Sequence, residues 1–115
     1  MTQTQQSSPQ AYKTVFVSKE NDVNKILRDQ RRNKTKIKIL LTSIWERQND
    51  ICLDLREKLA EKEDNKVPLF VLDSYSVPHS FVIFKVTKVP TLVTLNREKI
   101  FVQDYVPTIY KELGI

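Results

Sequence analysis

A proline that leads straight into an apolar strand is the feature that most constrains how this chain folds. It lies in the run Thr87-Lys88-Val89-Pro90-Thr91-Leu92-Val93-Thr94-Leu95. Proline lacks the backbone donor that a sheet ladder needs, so Pro90 predicts the entrance of a strand, and an X-Pro bond at such a turn can be cis. The β-branched and apolar residues that follow predict the strand itself. The fold must therefore place a tight proline loop at one end of a buried strand.

Periodicity divides the rest of the chain into alternating strands and helices. Apolar and β-branched runs predict strands, whereas apolar residues three and four apart predict helices. The first helix, capped by Ser18, is expected to fade into a polar connector over residues 28–36. Pro107 suits the first turn of a last helix. In chain order we predict a strand at 12–17, the helix after Ser18, a strand at 37–42, a helix from about 46, a strand at 67–72, a helix at 77–84, hairpin strands at 91–95 and 99–102, and the last helix.

The composition fits one globular domain. The chain has 115 residues, of which 40% are hydrophobic and 29% charged, enough for one core without metal or disulfide staples. Residues 1–11 are polar and predict a disordered tail, so the domain is expected to span residues 12–115. The first residues lack the apolar segment of a secretory signal, and no apolar run is long enough to cross a bilayer. We therefore expect a soluble, intracellular protein without membrane partners, in the cytoplasm or alternatively the nucleus.

Cysteine and histidine are too few for most metal and redox chemistry. The chain has one cysteine, Cys52, and one histidine, His79, which excludes an intramolecular disulfide and every Cys-Cys metal site. Cys52 lies on the apolar stripe of a helix with Ile51, Leu55 and Leu59, where a buried thiol is generally inert. His79 has no cysteine or serine partner at a meaningful spacing, and we interpret it as a surface or capping residue. No cofactor and no metal are expected.

The order of these elements, with Trp45 before the second helix and the Val89-Pro90-Thr91 loop, resembles the thioredoxin-like superfamily. The resemblance runs without a gap from about residue 37 to residue 100. Trp45 matches the tryptophan that opens the family's Trp-Cys-Gly-Pro-Cys motif, and the loop matches its cis-proline loop. This resemblance implies an α/β fold with a central mixed sheet of four to five strands and helices on both faces.

The family's redox residues are missing at the matching positions. Glu46 and Asn49 stand where the family has its two cysteines, in the run Trp45-Glu46-Arg47-Gln48-Asn49. Dithiol chemistry needs a thiolate at the helix N-terminus and a resolving thiol three residues on. The family's buried aspartate and nearby lysine match Leu40 and Val71, and without the cysteines a buried carboxylate only costs desolvation. The resemblance therefore implies a redox-inactive member that is not an enzyme.

The retained motifs predict a binding surface for another protein. In thioredoxins the tryptophan and the cis-proline loop hold an extended peptide of the partner by strand-type hydrogen bonds. We expect an adaptor, assembly subunit or regulator, acting as a monomer or within a hetero-complex. Packing alone would also explain Trp45 and Pro90, and helix capping alone would explain Glu46. The residues predicted to form the protein-binding surface are Trp45, Glu46, Arg47, Tyr75, Val89, Pro90 and Thr91.

A basic segment supports an alternative. Residues 25–38 contain seven basic residues and one acidic residue, a net charge of +6 in a chain whose net charge is +5. Such a cluster can bind phosphates or an acidic protein surface, although no aromatic residues interleave with it for base stacking. The alternative function is a subunit of a nucleoprotein complex that contacts nucleic acid or an acidic partner. The predicted contacts are Arg28, Arg31, Arg32, Lys34, Lys36 and Lys38.

A third hypothesis is a redox enzyme that uses Cys52 as a lone thiol. Monothiol glutaredoxins act in this way with glutathione, but they carry their cysteine at the start of the helix, where Glu46 stands here. The hypothesis therefore requires Cys52 to be accessible in the folded protein.

Overall fold

A five-stranded mixed sheet forms the centre of the protein. The computed structural model describes residues 11–43 and 50–115. In chain order the elements are β1 (Thr14–Val17), α1 (Glu20–Asn33), β2 (Lys36–Thr42), α2 (Asp50–Ala60), β3 (Leu69–Asp73), α3 (Pro78–Ile83), β4 (Thr91–Asn96), β5 (Lys99–Gln103) and α4 (Val106–Leu113). The strand order is β1-β3-β2-β4-β5. Strands β1 and β2 run parallel to β3, whereas β4 is antiparallel to β2 and β5 is antiparallel to β4.

Helices cover both faces of this sheet, which gives the protein two apolar layers. Because side chains alternate along a strand, the two faces take different residues of β2: Ile39 contributes to one layer and Leu40 to the other. We call these the α1/α3 face and the α2/α4 face after the helices that pack on them. Both faces of β2 are therefore buried, which explains why its sequence lacks the apolar–polar alternation of a half-exposed strand. The layer on the α1/α3 face includes Val23, Leu27, Ile37, Ile39, Leu41, Leu72, Val77, Val93 and Leu95. The layer on the α2/α4 face comprises Leu40, Leu55, Leu59, Leu69, Val71, Leu92, Ile109 and Leu113.

The predicted fold class and element order are confirmed. All five predicted strands occur, with ends within two residues of those expected from the sequence. The Val89–Pro90 peptide bond is cis, and β4 begins at the next residue. Pro107 lies in the first turn of α4. None of the helices within residues 11–43 and 50–115 is long and apolar enough to cross a membrane.

The predicted polar connector over residues 28–36 is wrong, because α1 continues to Asn33. The polar residues of that stretch form the solvent face of the helix, which polar composition alone does not distinguish from a loop. Gln30 is buried and its Nε2 donates to the carbonyl oxygens of Thr35 and Arg97, both at 2.8 Å. Lys34 follows as the C-cap, and its φ of 53° lies in the left-handed region. Ser18 is not the cap, since Lys19 occupies that position without a side-chain hydrogen bond.

The predicted apolar stripe of α2 is confirmed in its core and differs at its start. Cys52, Leu55 and Leu59 are fully buried, whereas Ile51, which the same spacing places on the stripe, is exposed. The predicted start of this helix near residue 46 and the predicted tail up to residue 10 lie outside the described residues.

Candidate functional site

The sheet topology brings three chain segments to one edge. Thr42 at the end of β2 pairs with Asp73 at the end of β3, and Leu41 pairs with Thr91 at the start of β4. The segment after β2, the turn after β3 and the proline loop before β4 therefore all leave the sheet at the same end. In open α/β sheets, ligands bind beyond the carboxyl ends of the strands. We call this end the cis-proline edge, formed by Thr42, Ser43, Asp73, Tyr75, Val89, Pro90 and Thr91.

Buried polar side chains hold the ends of β2 and β3 in place. The Thr42 hydroxyl donates to the carbonyl oxygen of Leu72 at 2.7 Å and accepts from an Arg56 guanidinium nitrogen at 3.3 Å. Asp73 is buried, and its Oδ2 accepts from the backbone N–H of Tyr75 at 3.1 Å. A typical intramolecular hydrogen bond contributes about 0.5–1.5 kcal/mol, so these contacts fix the turn that presents Tyr75.

The proline loop is closed by its own hydrogen bond. Thr91 is buried, and its hydroxyl donates to the carbonyl oxygen of Lys88 at 2.6 Å. Pro90 is also buried, Val89 is half-buried and Lys88 is exposed. Pro90 and Thr91 therefore shape the loop from inside, and a partner that approaches this edge meets the outer side of Val89 and the side chain of Lys88.

Four of the seven residues predicted for protein binding lie together on the cis-proline edge. They are Tyr75, Val89, Pro90 and Thr91, of which Tyr75 is the most exposed at 73%. Trp45, Glu46 and Arg47 lie outside the described residues.

The only thiol of the chain is not accessible at this edge. Cys52 lies in the first turns of α2, and 0% of its surface is exposed. It has no partner for an intramolecular disulfide, since the chain has no second cysteine. Within the described ranges there is also no group of three or more histidine, cysteine and acidic side chains that is able to hold a metal ion. The residues described at this edge thus offer contact and hydrogen bonding, with no accessible nucleophilic thiol.

The arginines of the basic segment share one face of α1. Arg28, Arg31 and Arg32 are exposed and lie three and four residues apart. With Leu27 and Ile83 they line an open groove between α1 and α3. This groove lies at the end of the sheet away from the cis-proline edge, because α1 leads into the start of β2.

The lysines of the same segment are used differently. Lys34 pairs with Glu98 at 3.8 Å, and Lys36 lies on the opposite sheet face from α1. The Lys38 ammonium donates to the carbonyl oxygen of Glu112 at 2.9 Å and so satisfies a carbonyl in the last turn of α4. Burial lowers the pKa of Lys38, and the Glu112 carboxylate opposes this shift. The predicted basic cluster is therefore divided between two faces of the sheet.

Sequence reasoning did not select β5 as a functional element, yet its central residues are exposed. Ile100, Phe101 and Val102 are all open to solvent at the outer edge of the sheet. A signal was present in the sequence: the strand carries three consecutive apolar residues and so lacks the apolar–polar alternation typical of a half-exposed strand.

Comparison with known proteins identifies the fold. No protein-family profile matches the sequence, and no curated protein matches it significantly. Among solved structures, the chain is similar to a reduced thioredoxin pre-protein of Schistosoma mansoni, with a TM-score of 0.64 and 10% identity over 89% of this chain and 96% of that one. It is similar to thioredoxin NaTrxh of Nicotiana alata, with a TM-score of 0.63 and 13% identity over 95% and 96% of the two chains. It also resembles oxidized thioredoxin O2 of Arabidopsis thaliana, with a TM-score of 0.56 and 18% identity over 87% and 93%. At these identities the likeness concerns the fold: this is a single-cysteine chain with a thioredoxin-like α/β fold around a five-stranded mixed sheet.

Proposed function

We propose that this protein is a redox-inactive thioredoxin-like module that binds another protein through the cis-proline edge, as an adaptor, assembly subunit or regulator. The observation that carries the proposal is the state of the single cysteine: Cys52 has no second thiol in the chain and is fully buried in α2. Thiol–disulfide exchange by a dithiol requires an accessible thiolate and a resolving thiol. A fold of this kind without those groups keeps a shaped surface and loses the chemistry.

Preorganisation of the edge supports a binding role. Thr42, Asp73 and Thr91 hold its loops by hydrogen bonds, so a partner does not have to order them on binding. Tyr75 projects from this fixed base, and exposed tyrosines are enriched at protein interfaces. The proposal assigns Trp45, Glu46 and Arg47 to the same surface, since they follow β2 directly.

The two alternatives receive less support. A nucleic-acid site over residues 25–38 needs a continuous basic surface, whereas Lys36 and Lys38 lie on the sheet face opposite α1 and Lys38 is engaged by α4. A monothiol enzyme needs an accessible thiolate, whereas Cys52 is enclosed by the core. We therefore propose that the protein is not an enzyme.

The redox part of the proposal is tested by disulfide reduction. The rate at which dithiothreitol reduces a disulfide-bonded protein is measured with wild type and with Cys52→Ala. We expect both to equal the uncatalysed rate. In native protein Cys52 should react with a thiol reagent only through opening of the core, orders of magnitude more slowly than in unfolded protein. Faster turnover by wild type than by Cys52→Ala, or rapid labelling of native protein, would contradict redox inactivity.

The binding part is tested with peptides selected from a random library on the native protein. Binding is followed by the fluorescence of Trp45, the only tryptophan of the chain and one that the proposal assigns to this surface. Tyr75→Ala is compared with Ile100→Ala, which removes an exposed apolar side chain that pairs with Leu95 at the opposite end of β4. We expect a loss of about tenfold or more in affinity for Tyr75→Ala alone, as for aromatic anchors at interface centres. If Tyr75→Ala binds like wild type, the cis-proline edge is not the binding surface.

A further inference from the structure

Strand β5 forms an outer edge of the sheet and exposes three consecutive apolar side chains. Ile100, Phe101 and Val102 are 61%, 54% and 56% exposed. The outer side of β5 pairs with no strand in the part of the chain that the structure describes. Natural proteins usually protect such an edge with a charged residue, a proline or a bulge. The three central residues of β5 carry none of these, so the strand is open to pairing with another chain.

The two sides of β5 have different surroundings. Ile100 pairs with Leu95 and Val102 pairs with Val93, so both lie on the α1/α3 face. Phe101 pairs with Thr94 and lies on the α2/α4 face. Because side chains alternate along a strand, an added strand would send every second residue to each of these faces.

The α1/α3 side of β5 offers an apolar groove. Its volume is about 380 Å³, and its apolar lining residues are Leu27, Ile83, Phe84, Leu95 and Ile100. Arg31, Arg97, Glu98 and Lys99 stand around it, and Glu98 pairs with Lys34. Residues of an added strand that face this side are therefore favoured when they are aliphatic.

The α2/α4 side of β5 is basic. Lys36, Asn96 and Lys99 form one cross-strand row through β2, β4 and β5. Both lysines are exposed, and neither takes part in an ion pair within the described ranges. Lys36 and Lys38, with Phe101 and Gln103, line a depression of about 650 Å³ on this side, to which α4 contributes one carboxylate, Glu112. Residues of an added strand that face this side are favoured when they are acidic.

We propose that β5 is a docking edge for an extended segment of a partner protein in which apolar and acidic residues alternate, added to the sheet as a sixth strand. Backbone hydrogen bonds would supply affinity, and the two sets of side chains would supply specificity. Charge complementarity favours this occupant over a second copy, because each copy carries a net charge of +5 and self-pairing would bring two basic edges together. The site is separate from the cis-proline edge, and it stands whether or not the function proposed above is correct.

The first test uses two synthetic peptides of equal composition. One alternates, Val-Glu-Val-Glu-Val-Glu-Val, and the other groups the same residues in blocks. Binding is measured by fluorescence anisotropy of labelled peptide, and the site is mapped by NMR from the backbone amides. We expect the alternating peptide to bind at least about tenfold more tightly, to shift the amides of residues 99–103, and to weaken as salt rises. Equal binding of both peptides, shifts confined to other residues, or no binding at about 1 mM would overturn the proposal.

The second test uses variants to show whether the alternating peptide contacts β5. A matched control variant lies on β1, at the other edge of the sheet. Ile100→Lys places a charge on β5, and Val15→Lys places one at an exposed position of β1. We expect Ile100→Lys to weaken the alternating peptide about tenfold or more and Val15→Lys to leave its affinity unchanged. The double variant Lys36→Glu with Lys99→Glu should reverse the preference toward a valine–lysine peptide. If sedimentation instead shows that wild type dimerises more strongly as salt rises, and Ile100→Lys abolishes this, a second copy occupies β5 and the proposal is wrong.

Discussion

The two edge strands of the sheet have similar sequences and different protection. Val15 and Phe16 of β1 are 45% and 40% exposed. The guanidinium of Arg56 lies 5.0 Å from the centre of the Phe16 ring. The Asn65 amide donates to the Tyr12 carbonyl at 2.9 Å and to the Thr14 hydroxyl at 3.0 Å, beside β1. On β5, none of the described ion pairs or cation–π contacts involves the three central residues.

This difference shows that protection of an edge comes from residues distant in sequence rather than from the strand itself. Thr14–Val17 and Lys99–Gln103 are both mostly apolar, so strand composition does not distinguish them. Arg56 and Asn65 reach β1 from α2 and from the loop after it. If β1 is a closed edge and β5 an open one, removing the side chains that protect β1 must cost stability, whereas altering β5 must not.

The largest effect is expected for Asn65→Ala. Asn65 is buried and its amide makes both side-chain hydrogen bonds to the segment that carries β1, so its loss leaves the Tyr12 carbonyl with one fewer donor. Removing a buried hydrogen-bonding partner costs about 1–3 kcal/mol. Chemical denaturation should show a free energy of unfolding lowered by that amount. Gln103→Ala removes an amide of β5 that accepts one exposed hydrogen bond, from the Tyr105 backbone N–H at 3.0 Å, and this comparison variant should cost only about 0.5–1 kcal/mol. Equal costs would mean that Asn65 does not secure β1.

A smaller effect is expected for Arg56→Ala. The variant removes the cation–π contact with Phe16 and the hydrogen bond to Thr42, which together contribute about 1 kcal/mol. It also uncovers Phe16, so β1 should become an association edge, which sedimentation velocity would detect. Arg56→Lys keeps a cation over the ring and should retain most of the stability. A variant that is as stable and as monomeric as wild type would show that Arg56 does not protect this edge.

The sequence was sufficient to predict the helices and strands, but it did not predict the side-chain contacts between residues distant in the chain. Strand and helix periodicity predicted the element order, and Pro90 predicted the entrance to β4, because both depend on neighbouring residues. Gln30, which lies in the part of α1 that the sequence did not predict, donates to the Arg97 carbonyl 67 positions away. Lys38 was predicted as part of a basic cluster, but it contacts Glu112 in α4, 74 positions away. Local pattern carries no information on such pairings, and the same limit applies to the protection of β1.

Helix α4 packs over α2 and β2 and leaves β5 uncovered. The pH dependence of the free energy of unfolding tests the contacts that hold α4 there. The Tyr110 hydroxyl donates to an Asp54 carboxylate oxygen of α2, and Lys38 of β2 donates to Glu112. These contacts hold α4 over α2 and β2. Burial, and secondly the hydrogen bond with Asp54, raise the pKa of Tyr110 from 10.0 to about 12. The hydrogen bond from Tyr110 is also the largest cause that lowers the pKa of Asp54.

The sign of the pH dependence follows from these shifts. A raised pKa in the folded state means that folded protein holds the phenol proton more tightly, so this contribution is complete below pH 10.0 and is lost as pH rises toward about 12. Wild type should therefore lose free energy of unfolding between pH 10.0 and about 12, and Tyr110→Phe should lose less over the same range. Asp54 acts in the opposite sense, since its contribution is lost as pH falls through its lowered pKa. Tyr105→Phe, at an exposed tyrosine, is the control. Identical profiles for Tyr110→Phe and wild type would show that the contact does not hold α4.

The smallest effect on stability is expected for Ile100→Lys. A small effect would identify β5 as an open edge, in contrast to β1. Ile100 is 61% exposed, so a lysine at this position leaves no cavity and buries no charge. Its free energy of unfolding in chemical denaturation should stay within about 0.5 kcal/mol of wild type, as for most surface substitutions. A cost above about 1 kcal/mol would show that the side chain of Ile100 contributes to the core, and β5 would then be a closed edge like β1. A negligible change in the free energy of unfolding, together with lost binding of the alternating peptide, would show that Ile100 serves recognition and not folding. The fold would then not need this apolar side chain, whereas a partner would.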